Sequence, residues 1–184
     1  MRRVLGIDPG LTRCGLAVVE VASNRKLKFI AVQTVHTSPK DELPNRLAQI
    51  ATQVEAELRL HKPTLIALER VFAQANLRSV MGVAQISGVV LYLSAKHGIP
   101  IQFHTPSEVK AAVTGNGRAN KQQVSTMVAK LLGLSEIPQP ADSADALAIA
   151  ITAGWRPNQD AANQPLTKAQ KAWAAAEAAS KKSR

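Results

Sequence analysis

The sequence is short of acidic residues, has almost no cysteine and lacks any long apolar run. Its one cysteine, Cys14, excludes a disulfide within the chain and suits a reducing, cytoplasmic setting. Cys14 stands among small and apolar residues of an expected strand, where a packed side chain is the expected role. No uncharged apolar stretch approaches the ~18 residues that a membrane span needs, so no membrane partner is expected. Asp8 interrupts the apolar start, which excludes an export signal. His36, His61, His97 and His104 are scattered, so there is no cysteine/histidine pattern for zinc. No internal repeat is present.

What is abundant is positive charge. Against 13 Asp and Glu stand 23 Lys and Arg in 184 residues, a net charge of +10. Such an excess favours a polyanionic partner through release of its counterions, although a solvated basic surface gives the same total. At 46% apolar the chain can bury a real core.

Hydrophobic patterning predicts the elements. Residues 3–7 are an apolar strand that runs into Asp8-Pro9-Gly10, a turn signature. Residues 15–21 and 27–35 are two more strands on short connections, an antiparallel meander. The period then becomes helical: Leu43, Leu47, Ile50, Val54 and Leu58 share a face, with Pro44 in the first turn. Residues 64–68 are a buried strand ending at Glu69. A helix over about 74–96 places Leu77, Met81, Ala84, Gly88, Leu91 and Ala95 on one face, with Gly98 as its C-cap and a fifth strand after it. Helices are expected at about 106–113, at about 120–132 and from Ala141 to Trp155. This order predicts an α/β domain over residues 1–156, a mixed five-stranded sheet with helices on its faces. Residues 157–184, rich in Ala and Lys, form a basic tail expected to be disordered, with a helix docked through Trp173 as the alternative.

Four carboxylates carry the chemistry. Read singly, each has a plain structural role: Asp8 as a turn former, Glu69 as an exposed strand-end charge or the partner of Arg70 in an ion pair, Asp142 and Asp145 as a helix N-cap and capping box. Read together, Asp8 and Glu69 end central strands, at the sheet edge where α/β sites gather. Asp142 and Asp145 are three residues apart and share a helix face. Four converging carboxylates repel one another unless cations intervene. All-oxygen ligands select hard ions, Mg²⁺ with Mn²⁺ as a substitute, two per site. A pair of such ions about 4 Å apart serves in-line attack on a phosphodiester. A basic protein with this set is a nuclease candidate.

At these residues the chain resembles the RuvC-type Holliday junction resolvases. Leu-Gly-Ile-Asp-Pro-Gly at the start, Ala-Leu-Glu-Arg-Val-Phe at 67–72 and Ala-Asp-Ser-Ala-Asp-Ala-Leu-Ala-Ile-Ala at 141–150 match that family's three acidic motifs in order and spacing. The resemblance covers residues 1–156. It implies a ribonuclease H-like fold and a Mg²⁺-dependent crossover junction endodeoxyribonuclease of recombination and repair. It also implies a homodimer that nicks opposed strands of a four-way DNA junction at a short T-rich site, leaving 5′-phosphate and 3′-hydroxyl ends. RuvA and RuvB, the branch-migration proteins, are the implied partners. Asp145 stands where some relatives carry His, as a ligand or as a base beside the ligands.

The resemblance also suggests DNA contacts. Phe72 matches an aromatic that stacks on a base, and Lys110 and Lys121 match basic residues near the scissile phosphate. Arg118 lies in a glycine-rich loop able to approach a phosphate backbone, and Asn76 and Arg78 open the long helix. Three other readings share parts of this pattern. An actin- or hexokinase-like ATPase has the Gly6-x-Asp8-x-Gly10 loop, but needs a second phosphate loop and more chain. A RuvC-like relative acting on ribosomal RNA precursors shares the first motif. A non-catalytic junction binder has no use for an intact acidic set.

Overall fold

The computed structural model describes residues 1–70 and 77–156. Its elements are β1 (Arg2–Asp8), β2 (Arg13–Val21), β3 (Leu27–His36), α1 (Leu43–His61), β4 (Leu65–Glu69), α2 (Leu77–His97), β5 (Ile101–His104), α3 (Pro106–Thr114), α4 (Lys121–Leu132) and α5 (Ala141–Trp155). The expected order is present, with boundaries displaced by one to three residues. The tail beyond 156, including Trp173, lies outside the described residues.

The strands form one sheet in the order β3-β2-β1-β4-β5. β1, β2 and β3 pair antiparallel, as the short connections require, while β4 and β5 run parallel to β1. The sheet is therefore mixed, and β1, β4 and β5 end at the same edge.

Each face of the sheet carries its own core. Leu5, Ile7, Leu16, Val18, Ile66 and Leu68 pack against Ile50, Val54 and Leu58 of α1 and Ile86, Val90 and Leu93 of α2. Val4, Ala17, Val19, Leu65 and Ala67 pack against α3, α4 and α5 on the other face. Side chains alternate along a strand. Because Leu5 and Ile7 face α1 and α2, Asp8 emerges toward α5. Glu69 follows Leu65 and Ala67 to the same side.

α5 is buried nearly all round, from Ser143 to Ala153, because it lies between the sheet and α3 and α4. α2 holds a surprise. The face marked by Met81, Ala84, Gly88, Leu91 and Ala95 is exposed, and the core takes the opposite face through Ile86, Val90 and Leu93. The helix is apolar on two sides, so its periodicity alone does not decide which one meets the sheet. Gly98 ends α2 with φ 64°, as its C-cap role requires.

Candidate active site

Two glycines set the site's geometry. Gly15 is the cross-strand partner of Asp8, and the space a Cβ would fill at Gly15 is occupied by the carbonyl of Asp142. A Cβ on Gly6 would fall on the carbonyl of Ala146 and 2.6 Å from the nitrogen of Ala150. α5 thus rests backbone-to-backbone on β1 and β2, a packing only glycine permits. Its N-terminal turn is carried to the edge where Asp8 and Glu69 emerge. Thr34 Oγ1 and Ser143 Oγ, 3.1 Å apart, tie the same turn to β3.

Asp142 and Asp145 are not caps. The N-cap of α5 is Pro140 and no side chain bonds the first turn. Both carboxylates are therefore available to groups outside the helix. Asp8, Glu69 and Asp145 line one cleft of about 300 Å³, together with Lys110 and Lys121. Asp142 stands on the β2 side of that group, with Oδ2 buried and without a hydrogen bond. Arg13 Nε lies 3.1 Å from this atom, an ion pair that is not aligned as a hydrogen bond. Lys121 Nζ donates to Asp145 Oδ2 at 3.1 Å.

The electrostatics follow from crowding. Burial pushes the Asp8 carboxyl up to about 7, and repulsion by Glu69, Asp145 and Asp142 adds to it. Glu69 is also raised, first by burial and then by Asp145, with Lys121 and Lys110 pulling the other way. Lys121 is the first residue of α4, where helix polarity disfavours a cation. Asp145 offsets this and holds the ammonium above its usual range. Asn120 fixes that position, because it forms a reciprocal capping box with Gln123. The box of Thr105 and Glu108 does the same for α3, which carries Lys110 to the cleft. Cys14 is buried and its thiol is pushed up to about 12, in keeping with a packing role.

As the side chains stand, no three Asp, Glu, His or Cys groups among the described residues close around a point able to hold a cation. Two of the four carboxylates instead face protein cations. The donor set nevertheless suits a hard divalent ion. It is all oxygen, it includes a buried carboxylate oxygen with no hydrogen bond, and its mutual repulsion is relieved only by positive charge.

Of the expected DNA contacts, Lys110 and Lys121 stand in the cleft. Arg118 is exposed in the loop before α4, outside the residues that line it, and its backbone N–H is accepted by Asn116 Oδ1 at 2.9 Å. Phe72 and Asn76 lie outside the described residues, as does the side chain of Arg78. Sequence reasoning missed Arg13, one basic residue among 23 with no motif to mark it. It also missed the part played by Gly15, whose pairing with Asp8 could have been found by aligning the two strands across their turn. His104 is the third omission. It is fully buried, it pairs with Glu69 across the sheet edge, and neither ring nitrogen has a hydrogen-bond partner. Burial, then the charge of Arg156, lowers it to about 4.

Residues 4–153 match the family model described as crossover junction endodeoxyribonuclease RuvC. The chain belongs to this family. A RuvC of Clavibacter michiganensis is 58% identical over 154 residues, 84% of this chain and 76% of that protein. One from Pseudarthrobacter chlorophenolicus is 52% identical over 189 residues, 99% of this chain and 98% of its own. The structure of Thermus thermophilus RuvC in complex with Holliday junction substrate superposes with a TM-score of 0.78 at 37% identity, covering 83% of this chain and 92% of that one. The fold is ribonuclease H-like, with a mixed five-stranded sheet and five helices among the described residues. Family membership also separates the chain from the ATPases that share its opening loop.

Proposed function

We propose that the chain resolves four-way DNA junctions by metal-dependent hydrolysis of phosphodiester bonds in opposed strands, in recombination and repair. One observation carries the site: Asp8, Glu69 and Asp145 share a cleft with Lys110 and Lys121. Carboxylates and ammonium groups facing one space fit a phosphate accompanied by cations, and fit a neutral ligand poorly. Asp8, Glu69, Asp142 and Asp145 are the residues that would hold Mg²⁺, or Mn²⁺ in its place, two ions to a site. Bound there, such ions supply an ionised water for attack and stabilise the leaving 3′ oxygen.

The remaining work belongs to the chain. Asp8 and Glu69 are fixed at the ends of central strands, so their positions depend on the sheet and not on a loop. Lys110 and Lys121 flank the carboxylates and bind the phosphate strand. Lys121 also holds Asp145 in place through its hydrogen bond while no substrate is present. Asp145, at the cleft, serves as ligand or as proton acceptor. Phe72, Asn76, Arg78 and Arg118 are assigned to DNA beyond the cleft on the family resemblance.

A homodimer suits a two-fold substrate, because each subunit then meets one of two equivalent strands. Support comes from α2, where Met81 is 57%, Leu91 42% and Tyr92 65% exposed. Ala84 and Gly88 lie between them on the same surface and would let a second copy of the helix approach closely. RuvA and RuvB are proposed partners by family alone. No described helix is long and apolar enough to cross a membrane, and the cytoplasm is the proposed location.

The deciding experiment is a synthetic four-way junction labelled on each strand in turn. With Mg²⁺ the enzyme should nick two opposed strands symmetrically, leaving ends that a ligase can seal. Asp8→Asn should abolish nicking and retain binding. Wild-type protein that binds the junction but never nicks it, in Mg²⁺ or Mn²⁺, would refute the reading.

A further inference from the structure

We infer that Arg13 is the resident counter-ion of Asp142, that a divalent cation displaces it, and that the released guanidinium then binds a backbone phosphate of the junction. This rests on the reading of Asp142 as a cation-holding carboxylate.

Three observations carry it. First, Asp142 Oδ2 is buried and receives no hydrogen bond, so Arg13 Nε at 3.1 Å is its compensating charge. A buried carboxylate oxygen without such compensation is costly. The same buried oxygen cannot serve a metal ion and a guanidinium at once, so one must leave for the other. Second, Arg13 is held only by this contact. Its side chain is 58% exposed, and among the described residues it makes no hydrogen bond. Nearby Arg46 differs, because it donates to Thr37 Oγ1 and Thr12 Oγ1. Arg13 is therefore free to move. Third, it opens β2, across the turn from Asp8, at the same sheet edge where Asp8 and Glu69 emerge. A planar guanidinium binds phosphate through paired N–H donors.

The exchange keeps charge balanced at each stage. Asp142 is never left alone, and positive charge reaches the phosphate only when the cation is in place. Lys121 on Asp145 is arranged in the same way, but through a hydrogen bond it donates itself.

The test measures Mn²⁺ binding by electron paramagnetic resonance without DNA, and junction binding across a salt series with Ca²⁺, which does not require turnover. Arg13→Gln should bind Mn²⁺ about three- to fivefold more tightly than wild type, the range for removing a largely exposed competing charge. It should bind the junction more weakly, with a salt dependence smaller by about one counterion. Asp142→Asn is the control for the underlying reading. If it binds Mn²⁺ as wild type does, that reading fails whatever Arg13 does. If Asp142→Asn weakens Mn²⁺ but Arg13→Gln leaves Mn²⁺ affinity unchanged or lower, or leaves the salt dependence unchanged, the exchange is overturned. Should Gln at this position prevent folding, Arg13→Met supplies the same neutral comparison.

Discussion

Gly15→Ala tests the contact on which the site's geometry depends. A Cβ at Gly15 would overlap the carbonyl oxygen of Asp142, lie 3.0 Å from its carbonyl carbon and stand 3.2 Å from the Ala146 Cβ. The first two of these are backbone atoms, so no side-chain rotation relieves the clash. Ordinary contact would need α5 to retreat from β2 by roughly 1 Å, a displacement that close-packed interiors resist. Overpacking of this kind costs about 1–3 kcal/mol, or roughly 2–4 °C in Tm per kcal/mol for a chain of this size. The functional cost should exceed the structural one. The retreating turn is the one that carries Asp142 and Asp145, and a misplacement of about 1 Å can cost on the order of 10²-fold in rate. Urea denaturation measures the first effect. Single-turnover nicking of a labelled junction, at saturating enzyme and well below the melting temperature, measures the second. The reasoning fails if Gly15→Ala nicks at the wild-type rate, whatever its stability, because α5 would then position its carboxylates independently of Gly15.

Two further predictions concern charge and assembly. Asp8 is raised from an unfolded value near 3.8 to about 7, so between those limits the folded chain binds more protons than the unfolded one, and the metal-free protein should lose stability as pH climbs from about 4 to about 7. Asp8→Asn should remove most of that slope and stabilise the metal-free protein above pH 7 by about 1–3 kcal/mol; urea midpoints at several pH values, with chelator present, would disprove it if the two proteins fell in parallel. Leu91→Asp should convert a dimer to a folded monomer in sedimentation velocity, with unchanged far-ultraviolet circular dichroism, since Leu91 faces away from the core; a dimer that survives this charge would move the interface off α2.

The sheet and its helices were legible because their signals are local. Apolar runs of strand length, the change of period at Leu43, Gly98 and the turn at Asp8 each depend on a few adjacent residues. α2 was less legible because both of its faces are apolar. Periodicity reports that such faces exist, but which one meets the sheet is decided by partners distant in sequence, here Leu5, Ile7 and Leu68.

The carboxylate set was legible for a different reason. Asp8, Glu69, Asp142 and Asp145 have plain local explanations when taken singly, and the structure removes one of them outright by giving the N-cap of α5 to Pro140. The element that unites the set is a residue type with no chemistry of its own. Gly6 and Gly15 let a helix backbone lie against two strands, and so bring a motif near residue 142 beside one at residue 8. Arg13 was hidden because a movable counter-ion needs no motif. It needs a position at the edge, exposure, and a buried carboxylate oxygen within reach. The resting site is thus a balance of fixed acids against movable bases. Removing an acid should relieve strain and abolish catalysis, whereas removing Arg13 should ease cation entry and weaken the hold on DNA. These opposite signs separate the two classes of residue more sharply than loss of activity, which both would show.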